Sequence, residues 1–159
     1  MIKNNVIRFL ESKNIRFTVF ELPKEKLGAT QTAELLSVSA DVVFKSIVIL
    51  REKKGKPIVA MVPGSKEVDL KKLASLVGEK KLHVPSEREV EKLTGLLSGG
   101  ISPLALIHKG FEMVLDQSSQ FLEVLHISGG ERGVNLRIPV KDLIFILQPK
   151  IADISQTVG

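Results

Sequence analysis

The sequence predicts an α/β fold, a single domain over residues 1–159 with short helices packed around a central mixed β-sheet. Apolar runs of strand length recur between short segments of helical periodicity, and 159 residues are enough for one sizeable core. The hydrophobic fraction of 43% and the charged fraction of 26% are typical of a globular chain. Because strands and helices do not alternate strictly, the pattern favours an irregular mixed sheet over regular βαβ winding.

Helix signals occur at both ends of several amphipathic segments. Asp69 and Gly78 are a predicted N-cap and C-terminal stop, and Ser86 with Glu89 forms a capping-box pattern that ends at Gly95. Thr30 is the predicted cap of another short helix. The predicted helices are residues 2–10, 30–37, 69–78, 86–95 and 140–147.

Strands are predicted where apolar residues run continuously or alternate with polar ones. The run DVVFKSIVIL at 41–50 is almost entirely apolar, which indicates a strand that is covered on both faces. GKPIVAMVPG at 55–64 is its expected neighbour, because only a short polar connection separates the two. The other predicted strands are residues 15–22, 104–108, 111–116, 121–128, 133–140 and 151–155.

The composition excludes several kinds of chemistry. The chain has no cysteine, so disulfides, thiolate metal sites and a cysteine nucleophile are ruled out. His83, His108 and His126 do not have metal-ligand spacing, so neither a metal nor a cofactor is expected. No apolar run reaches the roughly 18 residues of a membrane span, and the N-terminus lacks a signal-peptide pattern, so a cytoplasmic protein without membrane contact is predicted. The net charge of +5 fits a polyanionic partner, but ordinary basic proteins share it.

Lys45 is the first candidate functional residue, because it interrupts a strand with both faces predicted to be buried. A buried ammonium is costly unless it is paired or reaches a cleft. One interpretation is a structural lysine whose aliphatic stem carries the charge to solvent. The other is a cation in a pocket, where it holds a phosphate or carboxylate or polarises a carbonyl.

Two glycine-rich segments are the other candidates. In Gly99-Gly100-Ile101-Ser102-Pro103 the glycines permit close backbone approach, and Pro103 restricts Ser102 to an extended conformation. This loop either connects two elements or displays backbone groups to a ligand. The segment HISGGERG at 126–133 suits an anion-binding turn, although it matches neither a Walker A nor a GxGxxG pattern. Ser102 lacks the GxSxG context of an activated serine nucleophile.

The order of these features resembles the YbaK/EbsC family, the free-standing relatives of the prolyl-tRNA synthetase editing domain. The resemblance rests on VFKSIVIL, LTGLLSGGISPLAL, VLDQS and HISGGERGVNLRI, and it extends over about residues 1–147. It implies a barrel-like central sheet and hydrolysis of the ester that joins a wrong amino acid to the 3′ end of a tRNA. It also implies catalytic roles for Lys45 and Gly100. The implied substrate-binding residues are Ser46, Gly99, Ile101, Ser102, Pro103, Ser128, Gly129, Gly130 and Asn135.

Two departures from the family pattern leave the substrate open. Glu131 stands where a basic residue is usual, and Asn135 stands where an aspartate is expected. The leading hypothesis is a deacylase acting on Cys-tRNA(Pro), Cys-tRNA(Cys) or Ala-tRNA(Pro), with the aminoacylated tRNA end as partner and a synthetase as a compatible second partner. The alternatives are a non-catalytic module that binds tRNA or nucleotides on the same fold, and a hydrolase of other activated acyl esters.

Overall fold

The computed structural model describes residues 2–159, which form six α-helices and ten β-strands. The helices are α1 (Asn5–Ser12), α2 (Ala29–Leu36), α3 (Leu70–Val77), α4 (Glu87–Thr94), α5 (Pro103–Leu106) and α6 (Val140–Leu147). The strands are β1 (Thr18–Glu21), β2 (Phe44–Arg51), β3 (Ile58–Pro63), β4 (Lys66–Val68), β5 (Leu82–His83), β6 (Glu112–Asp116), β7 (Val124–Ser128), β8 (Val134–Pro139), β9 (Lys150–Ala152) and β10 (Ser155–Thr157). No helix of residues 2–159 is long and apolar enough to cross a membrane.

The central sheet is mixed, as predicted. Its five strands have the order β5-β2-β3-β6-β9, with β2 antiparallel to β3 and β5 and with β6 parallel to β3 and β9. A second, antiparallel sheet has the order β1-β8-β7, and β4 pairs with β10. The two larger sheets meet at one parallel bridge between Val43 and His126. The expected barrel-like closure is therefore wrong: the ladder between β2 and β7 does not continue beyond this bridge.

The central sheet has a core on each face, which explains its nearly continuous apolar strands. Successive side chains of a strand point to opposite faces, so β2 and β3 contribute to both cores. Phe44, Val48, Val59 and Met61 lie in the larger core, which β7, β8, α1, α5 and α6 complete. Ile49, Ile58, Ala60 and Val62 lie in the smaller core, against Leu73 and Ala74 of α3.

The helix ends follow the capping signals closely. The Asp69 carboxylate accepts hydrogen bonds from the N–H groups of Lys71 and Lys72, and Gly78 ends α3 in the left-handed conformation. The capping box of Ser86 and Glu89 is present at α4. These predictions are confirmed because they depend only on local backbone geometry.

Three local predictions are wrong. The single strand predicted at 151–155 is instead the end of β9 and the start of β10, which belong to different sheets. Residues 104–108 are not a strand: Pro103–Leu106 is α5, and a 3-10 turn follows at 107–109. The Ser102 hydroxyl caps this helix and Pro103 occupies its first turn, a start signal that outweighs the short apolar run. Thr30 is not the cap of α2, since the helix begins at Ala29 and the Gln31 side chain accepts from the N–H of Gly28.

Candidate active site

A cavity of about 370 Å³ lies where the two larger sheets part. Strand β2 forms its floor with residues 43–48, and the glycine-rich turn and β8 form one side. Residues 25–29, the first turn of α4 and the loop at 98–101 complete the wall. The sheet topology explains where the cavity lies. Within residues 2–159 the two larger sheets are joined only by the Val43–His126 bridge, at one end of the cavity.

The cavity brings together six of the residues that the sequence singled out. Lys45 and Ser46 come from β2, Gly99 and Ile101 from the loop before α5, and Ser128 and Asn135 from the end of β7 and the start of β8. Three distant segments of sequence thus contribute to one cavity. The remaining predicted residues do not line the cavity: Gly100, Ser102, Pro103, Gly129 and Gly130.

Lys45 brings a positive charge to the floor of the cavity. Burial lowers the pKa of its ammonium below the ordinary value of 10.5, and the negative charge of Glu67 opposes this shift only in part. Within residues 2–159 Lys45 forms no ion pair. A half-buried ammonium without a bound carboxylate is suited to receive a phosphate, a carboxylate or a developing oxyanion.

Ser102 and Pro103 build the helix that supports the loop. The Ser102 side chain is fully buried, and its Oγ accepts a hydrogen bond of 3.2 Å from the N–H of Leu104. Pro103 stands in the first helical turn, where its missing N–H costs nothing. In this structure both residues position the loop, and a direct contact of either with a substrate stays a prediction.

Gly100 joins the two glycine-rich segments by close backbone packing. A Cβ at this position would lie 2.8 Å from Cα of Glu131 and 3.0 Å from N of Arg132. Any larger residue would therefore push the loop away from the turn at 129–133. The structure gives Gly100 this packing role, and contact with an aminoacyl group stays a prediction.

The loop at 98–101 is held from two sides at Ser98. Nε of Arg132 donates to the Ser98 carbonyl oxygen at 2.6 Å, and the Ser98 N–H donates to the Glu91 carboxylate at 2.9 Å. Arg132 belongs to the glycine-rich turn and Glu91 to α4, so the loop is fixed between these elements. Neither role was predictable from the sequence, since each side chain contacts a main-chain group outside its own element.

The glycine-rich turn is packed too tightly for other residues. A Cβ on Gly129 would lie 2.4 Å from Cγ1 of Val134, and Gly130 has φ of +97°. The N–H of Gly130 donates to Oγ of Ser128 at 3.2 Å, and Nδ2 of Asn4 donates to the Gly129 carbonyl oxygen at 3.0 Å. The turn is therefore a rigid support that places Ser128 on the cavity wall.

Asn135 is held by a buried histidine. Nδ1 of His126 lies 2.8 Å from Oδ1 of Asn135, and the histidine ring packs on Phe20 with centroids 5.5 Å apart. Burial lowers the pKa of His126 below its ordinary value of 6.5, more than the hydrogen bond to Asn135 raises it, so the ring is neutral near pH 7. With Oδ1 engaged, the Asn135 amide group has its Nδ2 donor left for the cavity.

An ion pair crosses the mouth of the cavity. Lys26, before α2, pairs with Glu87 in the first turn of α4, and both residues line the cavity. Their side chains keep 51% and 63% of their exposure, so the pair contributes only about 0–1 kcal/mol to folding. Breaking this ion pair to bind an anion at Lys26 therefore requires little free energy. This ion pair was not predictable from the sequence, because 61 residues separate its members.

The fold is an α/β domain with a ligand-sized cavity lined by Lys45, and comparisons with known proteins identify its family. Residues 24–146 match the aminoacyl-tRNA editing domain family. The chain belongs to this family.

The chain matches its relatives over different fractions of their lengths. The chain is 30% identical over 155 residues to EbsC of Enterococcus faecalis, to which the activity of a Cys-tRNA(Pro)/Cys-tRNA(Cys) deacylase is ascribed, with 96% of this chain and 93% of EbsC covered. It is 31% identical over 123 residues to the proline–tRNA ligase of Thermodesulfovibrio yellowstonii, which covers 77% of this chain but 20% of the ligase. A solved candidate trans-editing enzyme for prolyl-tRNA synthetase superposes with a TM-score of 0.80 at 25% identity, over the full length of both chains.

Proposed function

We propose that this protein is a trans-acting aminoacyl-tRNA deacylase, which hydrolyses the ester bond of mischarged tRNA of the Cys-tRNA(Pro), Cys-tRNA(Cys) or Ala-tRNA(Pro) type. Membership of the editing-domain family supports the reaction class. The similarity to EbsC over nearly the whole of both chains supports a free-standing enzyme. The aminoacylated 3′ end of tRNA is the proposed partner, a synthetase that delivers it is a second one, and the cytoplasm is the proposed location.

The observation that carries this proposal is the unpaired Lys45 ammonium inside a cavity of ligand size. Ester hydrolysis by water passes through a tetrahedral state in which negative charge develops on the former carbonyl oxygen. A cation in a cavity with little water stabilises that charge more strongly than it would in bulk solvent. Lys45 either takes this role or holds the terminal phosphate of the tRNA, and both roles use its charge.

Water is the proposed nucleophile, because the serines on the cavity wall are not activated. The hydroxyl groups of Ser46, Ser98 and Ser128 have no hydrogen bond to a histidine or a carboxylate within residues 2–159. Water adds to the ester carbonyl, the bond to the ribose oxygen breaks, and that oxygen takes up a proton. The products are the free amino acid and a tRNA with its terminal hydroxyl restored.

The experiment is a panel of tRNAs mischarged with cysteine, alanine or serine, incubated with the purified protein. We expect release of at least one amino acid, and a loss of roughly 100-fold or more in rate for Lys45→Ala, the size seen when a group that stabilises an oxyanion is removed. Lys53→Ala, in the exposed turn between β2 and β3, is the matched control and keeps the rate. If every tRNA in the panel stays intact while the protein binds it in a salt-sensitive way, the binding-module hypothesis is favoured instead.

A further inference from the structure

The floor of the cavity contains a stretch of strand edge without a partner. Strand β2 pairs with β3 along Phe44–Ile49 on one edge. On its other edge, β5 pairs only with Leu50 and Arg51, and Val43 forms the single bridge to His126. Between these two points no strand of residues 2–159 pairs with β2, although β7 lies close to it, and Ser46 there lines the cavity. An unpaired strand edge is a template for main-chain pairing.

The hydrogen-bond register shows which main-chain groups face the cavity. The N–H of Gly64 donates to the Val43 carbonyl oxygen at 2.7 Å, so the main-chain groups of Val43 point toward β3. The main-chain N–H and C=O groups of successive residues point alternately to the two edges of a strand. Those of Lys45 and Ile47 therefore point toward β3, and those of Ser46 point toward the open edge. The pairing of Leu50 with His83 on that open edge agrees with this parity. In residues 2–159 no strand pairs with Ser46 on the open edge of β2, where β5 pairs only with Leu50 and Arg51.

An aminoacyl ester has the matching pair of groups. Its α-ammonium is a donor and its carbonyl oxygen is an acceptor, on adjacent carbons, as in one residue of an extended chain. Two residues that face each other in an antiparallel ladder exchange two N–H···O=C bonds. An extended aminoacyl group is therefore complementary to the single residue Ser46 on the open edge of β2.

We propose that Ser46 binds the aminoacyl group of the substrate through its main chain, as a one-residue β-bridge. The Ser46 C=O accepts from the α-ammonium, and the Ser46 N–H donates to the ester carbonyl oxygen, where negative charge develops during attack by water. The Lys45 side chain points to the opposite face of β2, so the two residues contact different parts of the substrate. This inference rests on the proposed function and specifies how the same cavity holds the amino acid.

The main test is amide hydrogen exchange measured by NMR, with 3′-alanylamino-3′-deoxyadenosine as a non-hydrolysable probe. In the free protein the Ser46 amide is expected to exchange at least about tenfold faster than those of Lys45 and Ile47, which donate in the β2–β3 ladder. A saturating concentration of the probe is expected to slow exchange at Ser46 by about tenfold or more. Adenosine alone lacks the aminoacyl group and is expected to leave Ser46 unchanged.

The outcomes separate this inference from the proposed function. Unchanged exchange at Ser46, whether the probe binds elsewhere in the cavity or does not bind, overturns the bridge, even if mischarged tRNA is hydrolysed. Protection at Ser46 without hydrolysis of any mischarged tRNA supports the bridge and contradicts the enzyme. Equal protection with adenosine alone also overturns the bridge, because the aminoacyl group would then not be the part that is bound.

A backbone variant tests the contribution to the rate. In the test variant an ester replaces the amide at position 46, which removes the N–H, and the side chain is that of alanine. The reference is Ser46→Ala, which has the same side chain and keeps the N–H. We expect kcat/KM to fall about tenfold. The melting temperature should fall only slightly, because this N–H is outside the ladder and the ester merely weakens the Lys45 carbonyl as a ladder acceptor. The same replacement at position 47 removes a ladder donor and is expected to lower the melting temperature. An unchanged kcat/KM at position 46 would count against the bridge.

Discussion

Nε of Arg132 donates a hydrogen bond of 2.6 Å to the carbonyl oxygen of Ser98, and this contact joins two glycine-rich segments that are 34 residues apart in the sequence. The carboxylate of Glu91, in α4, accepts a hydrogen bond from the N–H of Ser98. The loop at 98–101 is therefore a wall whose position is set by its neighbours, and its sequence alone does not determine where it lies.

Replacing Arg132 by methionine is expected to loosen this wall. The side chain keeps its apolar stem and loses the donor to Ser98, so kcat/KM should fall about tenfold while the amides of Gly99 and Ile101 exchange faster. Arg88→Met removes an equal charge from the exposed face of α4 and is the control. An equal loss in both variants would indicate general attraction of tRNA instead of positioning by Arg132.

The variant Gly100→Ala distinguishes packing from substrate contact. The new Cβ would lie 2.8 Å from Cα of Glu131, so the backbone must shift, and we expect the melting temperature to fall by about 3–10 °C. Gly28→Ala is the stability control, because its Cβ would lie 4.0 Å from the nearest atom, the flexible Oε1 of Gln31. A normal melting temperature together with a large loss of kcat would instead support the direct role that the family resemblance implies.

Replacing Lys45 by methionine is expected to abolish activity and yet to stabilise the fold. Burial lowers the pKa of this ammonium, so at neutral pH the folded state bears the cost of desolvating the charge. Between the lowered pKa and 10.5, the unfolded native chain binds more protons at Lys45 than the folded protein does. The stability of the native protein relative to Lys45→Met therefore rises with pH over this range. Because the ammonium keeps some solvent contact, we expect a gain of only about 1–2 °C at pH 7, measured by calorimetry. A lower melting temperature for Lys45→Met would contradict this account.

The pair of His126 and Asn135 predicts a pH dependence of stability. The folded state holds His126 neutral, since burial lowers its pKa, while the unfolded chain takes up the proton near pH 6.5. The unfolded state then binds more protons, and stability is lost as the pH falls below 6.5, by less than about 1.4 kcal/mol per pH unit. His126→Gln should lose less stability than the native chain between pH 7 and pH 5 in urea titrations. Parallel curves for the two proteins would show that His126 does not titrate in this way.

Features that depend on short-range interactions were predictable from the sequence, and features that depend on long-range contacts were not. The caps at Asp69 and Ser86 were predictable, because a capping side chain and its N–H partners lie within three residues. The strand predicted at 104–108 was wrong, because a run of five residues does not distinguish a strand from a short helix. The ion pair of Lys26 and Glu87 was not predictable, since its members meet only in the folded chain.

The sequence by itself determined the α/β class, the mixed sheet with apolar strands covered on both faces, and three of the segments that line the cavity. Periodicity, capping and glycine-rich segments are local in sequence, so they can be recognised without coordinates. Only the tertiary structure decided that the two larger sheets share a single bridge within residues 2–159, at Val43 and His126, and that Gly100 packs against Glu131. It also decided that the edge of β2 at Ser46 is unpaired. These features depend on how distant segments pack, because strand pairing and close contact are properties of two chain segments together.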